Sequence, residues 1–93
     1  NVVYFELLRR GYDVAIGKIG NAEVDFIATT ADDKKYIQVT ESMVSEEVRT
    51  RELAPLRNIR DNYEKFVLSM ETGLDTSYDG IKSLSLIDWL LDD

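Results

Sequence analysis

Two carboxylates in the sequence stand where a small α/β protein could hold a metal ion. Glu6 lies in the first predicted helix, Asp25 lies in a predicted strand, and the next strand carries Gln38, Val39 and Thr40. A metal-dependent phosphodiesterase needs carboxylates that converge on one Mg²⁺, with a main-chain carbonyl as a further ligand, because the metal activates water and offsets charge on the phosphate. The spacing therefore suggests a phosphodiester-cleaving site on adjacent strands.

The composition leaves carboxylates as the main catalytic option. The 93 residues include no His and no Cys, which excludes disulfides, thiolate zinc sites, Cys nucleophiles and His-based triads within this chain. A metal would have to be bound by oxygen atoms, which select hard cations such as Mg²⁺, Mn²⁺ or Ca²⁺. With 18 acidic and 11 basic residues, the net charge of −7 disfavours nucleic acid at long range.

The length fits one domain, taken as residues 1–93, with a mass of 10.7 kDa. The chain begins at Asn1 without a Met and enters apolar sequence at once, so we expect a fragment of a longer protein. No apolar run approaches the roughly 18 residues of a membrane span, and signal-peptide features are missing. We therefore expect a soluble, cytoplasmic protein with no membrane partner.

The first half of the sequence predicts one helix and three strands. An N-capping residue before it and a glycine after it predict a helix over residues 2–10. Apolar residues alternate over 12–16 and 24–28, and the glycine-rich stretch 17–21 between them predicts a hairpin turn. A third strand is predicted over 35–40. The polar residues predicted to point away from the apolar side of their strands are Glu23, Asp25, Gln38 and Thr40.

The second predicted helix opens at Ser45, a capping residue followed by an acidic first turn. Pro55 should kink or restart this helix, because proline deletes a backbone donor. The residues that keep helical spacing along its predicted stripe are Val48, Glu52, Leu53, Leu56, Ile59 and Tyr63.

The remaining segments complete an α/β architecture, a mixed sheet covered by helices in the order α-β-β-β-α-β-β-α. They are a fourth strand over 65–70, a polar loop over 72–80, a short fifth strand over 81–84, and a helical turn over 87–91 with Trp89 in the core.

Three short segments resemble a known domain. They are the opening helix around Glu6 (residues 4–11), the stretch 24–27 with Asp25, and the stretch 36–39 with Gln38. Together they resemble the C-terminal domain, of unknown function, of bacterial and archaeal AAA-type ATP-binding proteins, which is similar to the PD-(D/E)XK restriction-endonuclease-like fold. The similarity continues through Arg51-Glu52-Leu53, Asp61-Asn62-Tyr63 and Val67-Leu68-Ser69, and so covers nearly the whole chain.

The resemblance implies a degenerate nuclease site. Asp25 matches the first acidic metal ligand, Glu6 matches the helix carboxylate of several members, and the Val39 carbonyl would complete a Mg²⁺ or Mn²⁺ site. Gln38 stands where the second acid belongs, and Thr40 stands where the catalytic lysine belongs. Loss of one such electrostatic contact typically slows catalysis by about 100- to 1000-fold, so the resemblance implies little or no nuclease activity.

Simpler structural roles stay open for every candidate residue. Glu6 also fits a solvated helix carboxylate, and Asp25 also fits a strand residue paired with an arginine. The locally basic residues are candidates for phosphate contacts, although a solvated helix face paired with neighbouring acids is the commoner arrangement. These nucleic-acid candidates are Arg49, Arg51, Arg57 and Arg60.

Three hypotheses for function follow. The first is an accessory or sensing domain of an AAA-type ATPase, catalytically inactive, whose partner is the ATPase domain upstream in the same chain; ATP would bind only there. The second is a working Mg²⁺-dependent DNA endonuclease that uses Glu6 and Asp25. The third is a protein-interaction or dimerisation module that docks a partner or a second copy.

Overall fold

A computed structural model describes residues 1–19, 22–71 and 75–92. These residues form an α/β structure, a mixed β-sheet with helices on both faces, as the sequence predicts. In chain order the elements are α1 (Val2–Arg9), β1 (Asp13–Ile19), β2 (Ala22–Thr29), β3 (Lys34–Val39), α2 (Glu46–Arg57), β4 (Glu64–Ser69), β5 (Thr76–Tyr78), β6 (Ile81–Ser85) and α3 (Leu86–Leu91).

The six-stranded sheet has the spatial order β1-β2-β3-β4-β6-β5. The first three strands are antiparallel neighbours, whereas β3, β4 and β6 run parallel to one another. Helix α2 is the crossover between β3 and β4, and β5 closes the far edge antiparallel to β6. The C-terminal ends of three parallel strands therefore meet at one edge of the sheet.

Each face of the sheet has its own apolar cluster. On one face Val3 and Leu7 of α1, together with Leu86 of α3, pack against Phe26 and Phe66. On the other face the buried side of α2 packs over the sheet. The residues of this second cluster are Val24, Tyr36, Met43, Leu53, Leu56, Ile59, Val67 and Ile81.

A β-bulge in β2 changes the predicted face of Val24. The register runs from Ala15 opposite Ile27 to Gly17 opposite Val24, so two residues of β2 face one residue of β1. Val24 consequently packs on the α2 side, whereas Phe26 packs on the α1 side. The single apolar face predicted for 24–28 is therefore wrong, because simple alternation cannot anticipate an inserted residue.

The predicted turn at 17–21 is wrong for its first three residues, which belong to β1; residues 20 and 21 lie outside the described part. Gly17 is buried in the strand, where a Cβ atom would lie 2.3 Å from Cδ1 of Ile27. The glycine at position 17 therefore permits the close packing of Ile27 against β1 and does not mark a turn.

Two other predicted boundaries need correction. Helix α2 is one helix that ends at Arg57, two residues after Pro55, so Ile59 and Tyr63 lie beyond it. The predicted polar loop 72–80 contains strand β5, while residues 72–74 lie outside the described part. A three-residue polar strand has no apolar period to detect, and it forms because β6 offers an edge for pairing.

The C-terminal helix confirms the predicted helical turn, although Trp89 is half-buried and is not a core plug. Its ring packs beside Phe66, and the guanidinium of Arg10 stacks 4.4 Å from the ring centroid. None of the helices described is long and apolar enough to cross a membrane.

Candidate functional site

The two strands that carry the candidate residues separate at the bulge. The β2–β3 ladder extends as far as Phe26 opposite Ile37. Beyond that pair, the main-chain N–H of Val39 donates to Oδ2 of Asp25 at 2.9 Å, and the N–H of Asp25 donates to Oε1 of Gln38 at 2.8 Å. Side chains thus satisfy backbone groups that the ladder no longer pairs.

Gln38 links the sheet to α2 through both ends of its amide. It is only 6% exposed, and besides accepting from Asp25 it donates from Nε2 to the carbonyl oxygen of Glu52 at 3.4 Å. An ionised acid at this position could not donate to that carbonyl. The glutamine is therefore the residue that fits this buried position.

Glu52 is a member of the site that sequence reasoning did not select. Its side chain is 16% exposed, and its nearest ion-pair contact is a long one, 3.9 Å to Nε of Arg51. Burial of the carboxyl, followed by the negative charge of Asp25, raises the pKa of Glu52 above its usual range. The available signal was that Glu52 is the charged residue in the predicted apolar stripe of α2.

The carboxylate of Glu6 contacts the two arginines at the C-terminal end of α1. It accepts hydrogen bonds from Arg9 at 2.9 and 2.7 Å and from Arg10 at 2.7 Å. These bonds lower the pKa of Glu6 to about 2. Arg10 also donates to the carbonyl oxygens of Trp89 and Asp92, so the contacts of Glu6 tie α1 to the end of α3.

Thr40 directly follows β3, which ends at Val39, one residue earlier than predicted, and its contacts are with main chain. Its N–H donates to the carbonyl of Leu68, and its hydroxyl donates weakly to the carbonyl of Ser42 at 3.4 Å. The structure thus brings together Asp25, Gln38 and Val39, with Glu52 in addition. The contacts of Glu6 and Thr40 are directed elsewhere.

The arrangement does not fit a resident Mg²⁺ ion. Magnesium requires near-octahedral oxygen coordination, whereas one Asp25 oxygen and the Gln38 oxygen already accept main-chain N–H groups. Within residues 1–19, 22–71 and 75–92, no three acidic side chains form a group suited to a metal. The contacts of Asp25 and Gln38 instead hold β2, β3 and α2 in a fixed arrangement.

The candidate arginines have separate surroundings. Arg49 donates to the carbonyls of Met43 and Val44, and Arg57 pairs with Asp79 at 3.1 Å. The remaining two, Arg51 and Arg60, are exposed. The contacts of Arg49 and Arg57 are thus with main-chain carbonyls and an acid, as in the commoner arrangement of a solvated helix face.

The chain resembles an uncharacterized protein of Haemophilus influenzae. The two are 42% identical over 91 residues, which cover 98% of this chain and 22% of that protein. The chain therefore spans about a fifth of the length of this relative. No protein-family model matches the chain. No solved structure matches it either.

Proposed function

We propose that this chain is a catalytically inactive, PD-(D/E)XK-like domain that serves as an accessory module of a longer AAA-type ATPase. The observation that carries the proposal is the pairing of Asp25 with Gln38 and Val39 at the bulge. The resemblance aligns Asp25 with the first metal ligand and Gln38 with the second acid, yet both side chains satisfy backbone groups.

The order of elements supports the nuclease-like fold. The segment α1-β1-β2-β3-α2-β4 places the three antiparallel strands first and then β4, parallel to β3. Asp25 and Gln38 lie on β2 and β3, the two central strands of this unit. The presence of Gln38 and Thr40, which have structural contacts, at the positions of the second acid and the catalytic lysine accounts for a fold retained without its chemistry.

Two further observations support a place in a longer protein. The region that matches makes up only 22% of the relative from Haemophilus influenzae. In addition, the outer side of α1 exposes apolar side chains, of which Phe5 is 65% and Val2 is 53% exposed. Exposed apolar clusters of this kind are typical of surfaces that contact another domain.

The catalytic part of the proposal is tested with plasmid DNA, Mg²⁺ or Mn²⁺, and two forms of the chain. We expect the wild-type chain to cleave no faster than its Asp25→Asn variant, and the amide NMR signals of Asp25 and Val39 to stay unbroadened by Mn²⁺. Metal-dependent cleavage that disappears in Asp25→Asn would overturn the proposal in favour of a working endonuclease.

The accessory part is tested on the full-length protein that carries this domain. We expect its other region to contain the phosphate-binding motif of an ATPase and to hydrolyse ATP at a rate that changes when residues 1–93 are deleted. Asp25→Asn should leave that rate unchanged. A full-length protein that hydrolyses no nucleotide would contradict this part of the proposal.

A further inference from the structure

A cavity lies at the edge of the sheet where β3, β4 and β6 end. It has a volume of about 540 Å³ and opens between the beginning of α2 and the β5–β6 hairpin. Cavities of about 300–1,000 Å³ are the usual size for small-molecule sites, and the C-terminal ends of parallel strands are a common place for them. Its walls do not include Asp25, Gln38 or Glu52, so it is separate from the site described above.

Ser83 on β6 indicates that the cavity takes a polar ligand. The residue lines the cavity and is only 5% exposed, and in the part of the chain that the structure describes its hydroxyl has no hydrogen-bond partner. Among the described residues no side-chain N or O atom is both fully buried and unpaired, so this hydroxyl keeps surface that is open to the cavity. A ligand in the cavity could bond to it.

Opposite charges line the same cavity. Nη1 of Arg49 donates to the carbonyl of Met43 at 3.1 Å, and Oε1 of Glu71 accepts from the N–H of Met43 at 2.8 Å. Because both side chains are hydrogen-bonded to the main chain of Met43, Nη1 of Arg49 and Oε1 of Glu71 lie within about 9 Å of each other. Among the described residues no ion pair joins Arg49 to Glu71, so each charge is left for a ligand of opposite sign.

Both groups keep hydrogen-bonding capacity for a ligand. The carboxylate of Glu71 accepts three bonds, from Ser42, Met43 and Ser69, out of the roughly four that a carboxylate can accept. Nε and Nη2 of Arg49 have no acceptor among the residues described, and arginine is always charged. The N–H of Met43 and the hydroxyl of Ser42 hold the pKa of Glu71 below its usual range, so this carboxylate is anionic at neutral pH. Asp75 on the same wall uses Oδ1 to accept the N–H of Ser85, which leaves its other oxygen for a donor.

We propose that this cavity binds a small zwitterionic molecule that carries both an ammonium and a carboxylate group, the class to which free α-amino acids belong. The ligand carboxylate pairs with Arg49, its ammonium group pairs with Glu71, and one of its polar groups bonds to Ser83. A ligand with only a negative charge would be repelled by Glu71, and a ligand with only a positive charge would be repelled by Arg49. Met43 and Leu84 offer apolar contact to a side chain.

The test is calorimetry and amide NMR on the full chain with the common free L-amino acids, one at a time. n-Butylamine and butyrate are the matched single-charge probes. We expect at least one amino acid to bind saturably, with shifts at Ser83 and Arg49, and each single-charge probe to bind at least about tenfold more weakly. No saturable amino acid, shifts confined to other residues, or equal affinity for n-butylamine would overturn the proposal.

Ser83→Val tests the hydroxyl and the cavity together, because the larger side chain fills the space and lacks the donor. We expect it to weaken binding by at least about tenfold, and unchanged affinity would overturn the proposal. If Ser83→Val does not fold, Ser83→Ala removes the hydroxyl alone and should also weaken binding. Asp25→Asn should bind as the wild type does, which separates this cavity from the proposed nuclease-like site.

Discussion

The main-chain N–H of Asp25 donates to the side-chain oxygen of Gln38 at 2.8 Å, at the point where β2 and β3 separate. Because the other end of the same amide donates to Glu52, one buried side chain joins β2, β3 and α2. Gln38, which stands where the resemblance predicts an acid, therefore has a structural function of its own.

Restoring the acid with Gln38→Glu should destabilise the chain by about 2–3 kcal/mol at neutral pH, because a buried carboxylate would face the carbonyl of Glu52. Burial raises the pKa of the new acid in the folded state. The penalty is therefore full above that pKa and falls as pH drops toward the unfolded value, which urea unfolding at several pH values would show.

Gln38→Leu is the uncharged control: it loses both hydrogen bonds of the amide and adds no charge, whereas Gln38→Glu keeps an oxygen that can accept the N–H of Asp25. Its free energy of unfolding relative to wild type should not vary with pH. If Gln38→Glu is as stable as wild type at neutral pH, the structural assignment of Gln38 is wrong.

Glu52→Gln should stabilise the folded chain at neutral pH, by about 1 kcal/mol or less. Because the folded pKa of Glu52 is raised, its ionised form destabilises the fold above that pKa, and the penalty disappears as pH falls toward 4.5. The advantage of Glu52→Gln should therefore be largest at neutral pH. Repeating the comparison in the Asp25→Asn background should shrink the advantage, and an unchanged advantage would show that Asp25 is not the charge responsible.

Glu6→Gln should destabilise the chain at neutral pH, because it removes the anion that holds Arg9 and Arg10. The folded pKa of Glu6 is lowered from 4.5 to about 2, so its contribution is present above pH 4.5 and is lost as pH falls toward 2. Denaturation from neutral to acidic pH should show the variant and wild type converging across this window. Glu23→Gln, at an exposed acid of β2, should differ little from wild type, and equal behaviour of the two variants would contradict the prediction.

Gly17→Ala should destabilise the chain by about 1–3 kcal/mol, since the new methyl group would overlap Ile27. In an Ile27→Ala background the cost should be much smaller, and a double-mutant cycle measured by urea unfolding would report the coupling. Gly11→Ala is the control: its cost comes from a φ angle of +92° and should be the same in both backgrounds. Additive effects for Gly17 and Ile27 would rule out the proposed contact.

Local patterns in the sequence were sufficient to predict most elements. The cap at Asn1 and the apolar spacing after it predict α1, and Ser45 marks the beginning of α2, because caps and periodicity depend on neighbouring residues. Strand β5 was missed, since its three residues form a strand only by pairing with β6. The bulge was missed because it reflects the alignment of β1 with β2, which neither strand specifies alone.

By itself, the sequence determined the absence of His and Cys chemistry, the acidic charge and the order of most elements. Only the tertiary structure decided which candidate residues meet. The bulge carries Asp25 to the N–H of Val39, the crossover helix brings Glu52 near Asp25, and the packing of α3 brings the carbonyl of Trp89 to Arg10. These contacts join residues far apart in the chain, so they depend on strand register and helix packing, and no local spacing of residue types encodes them.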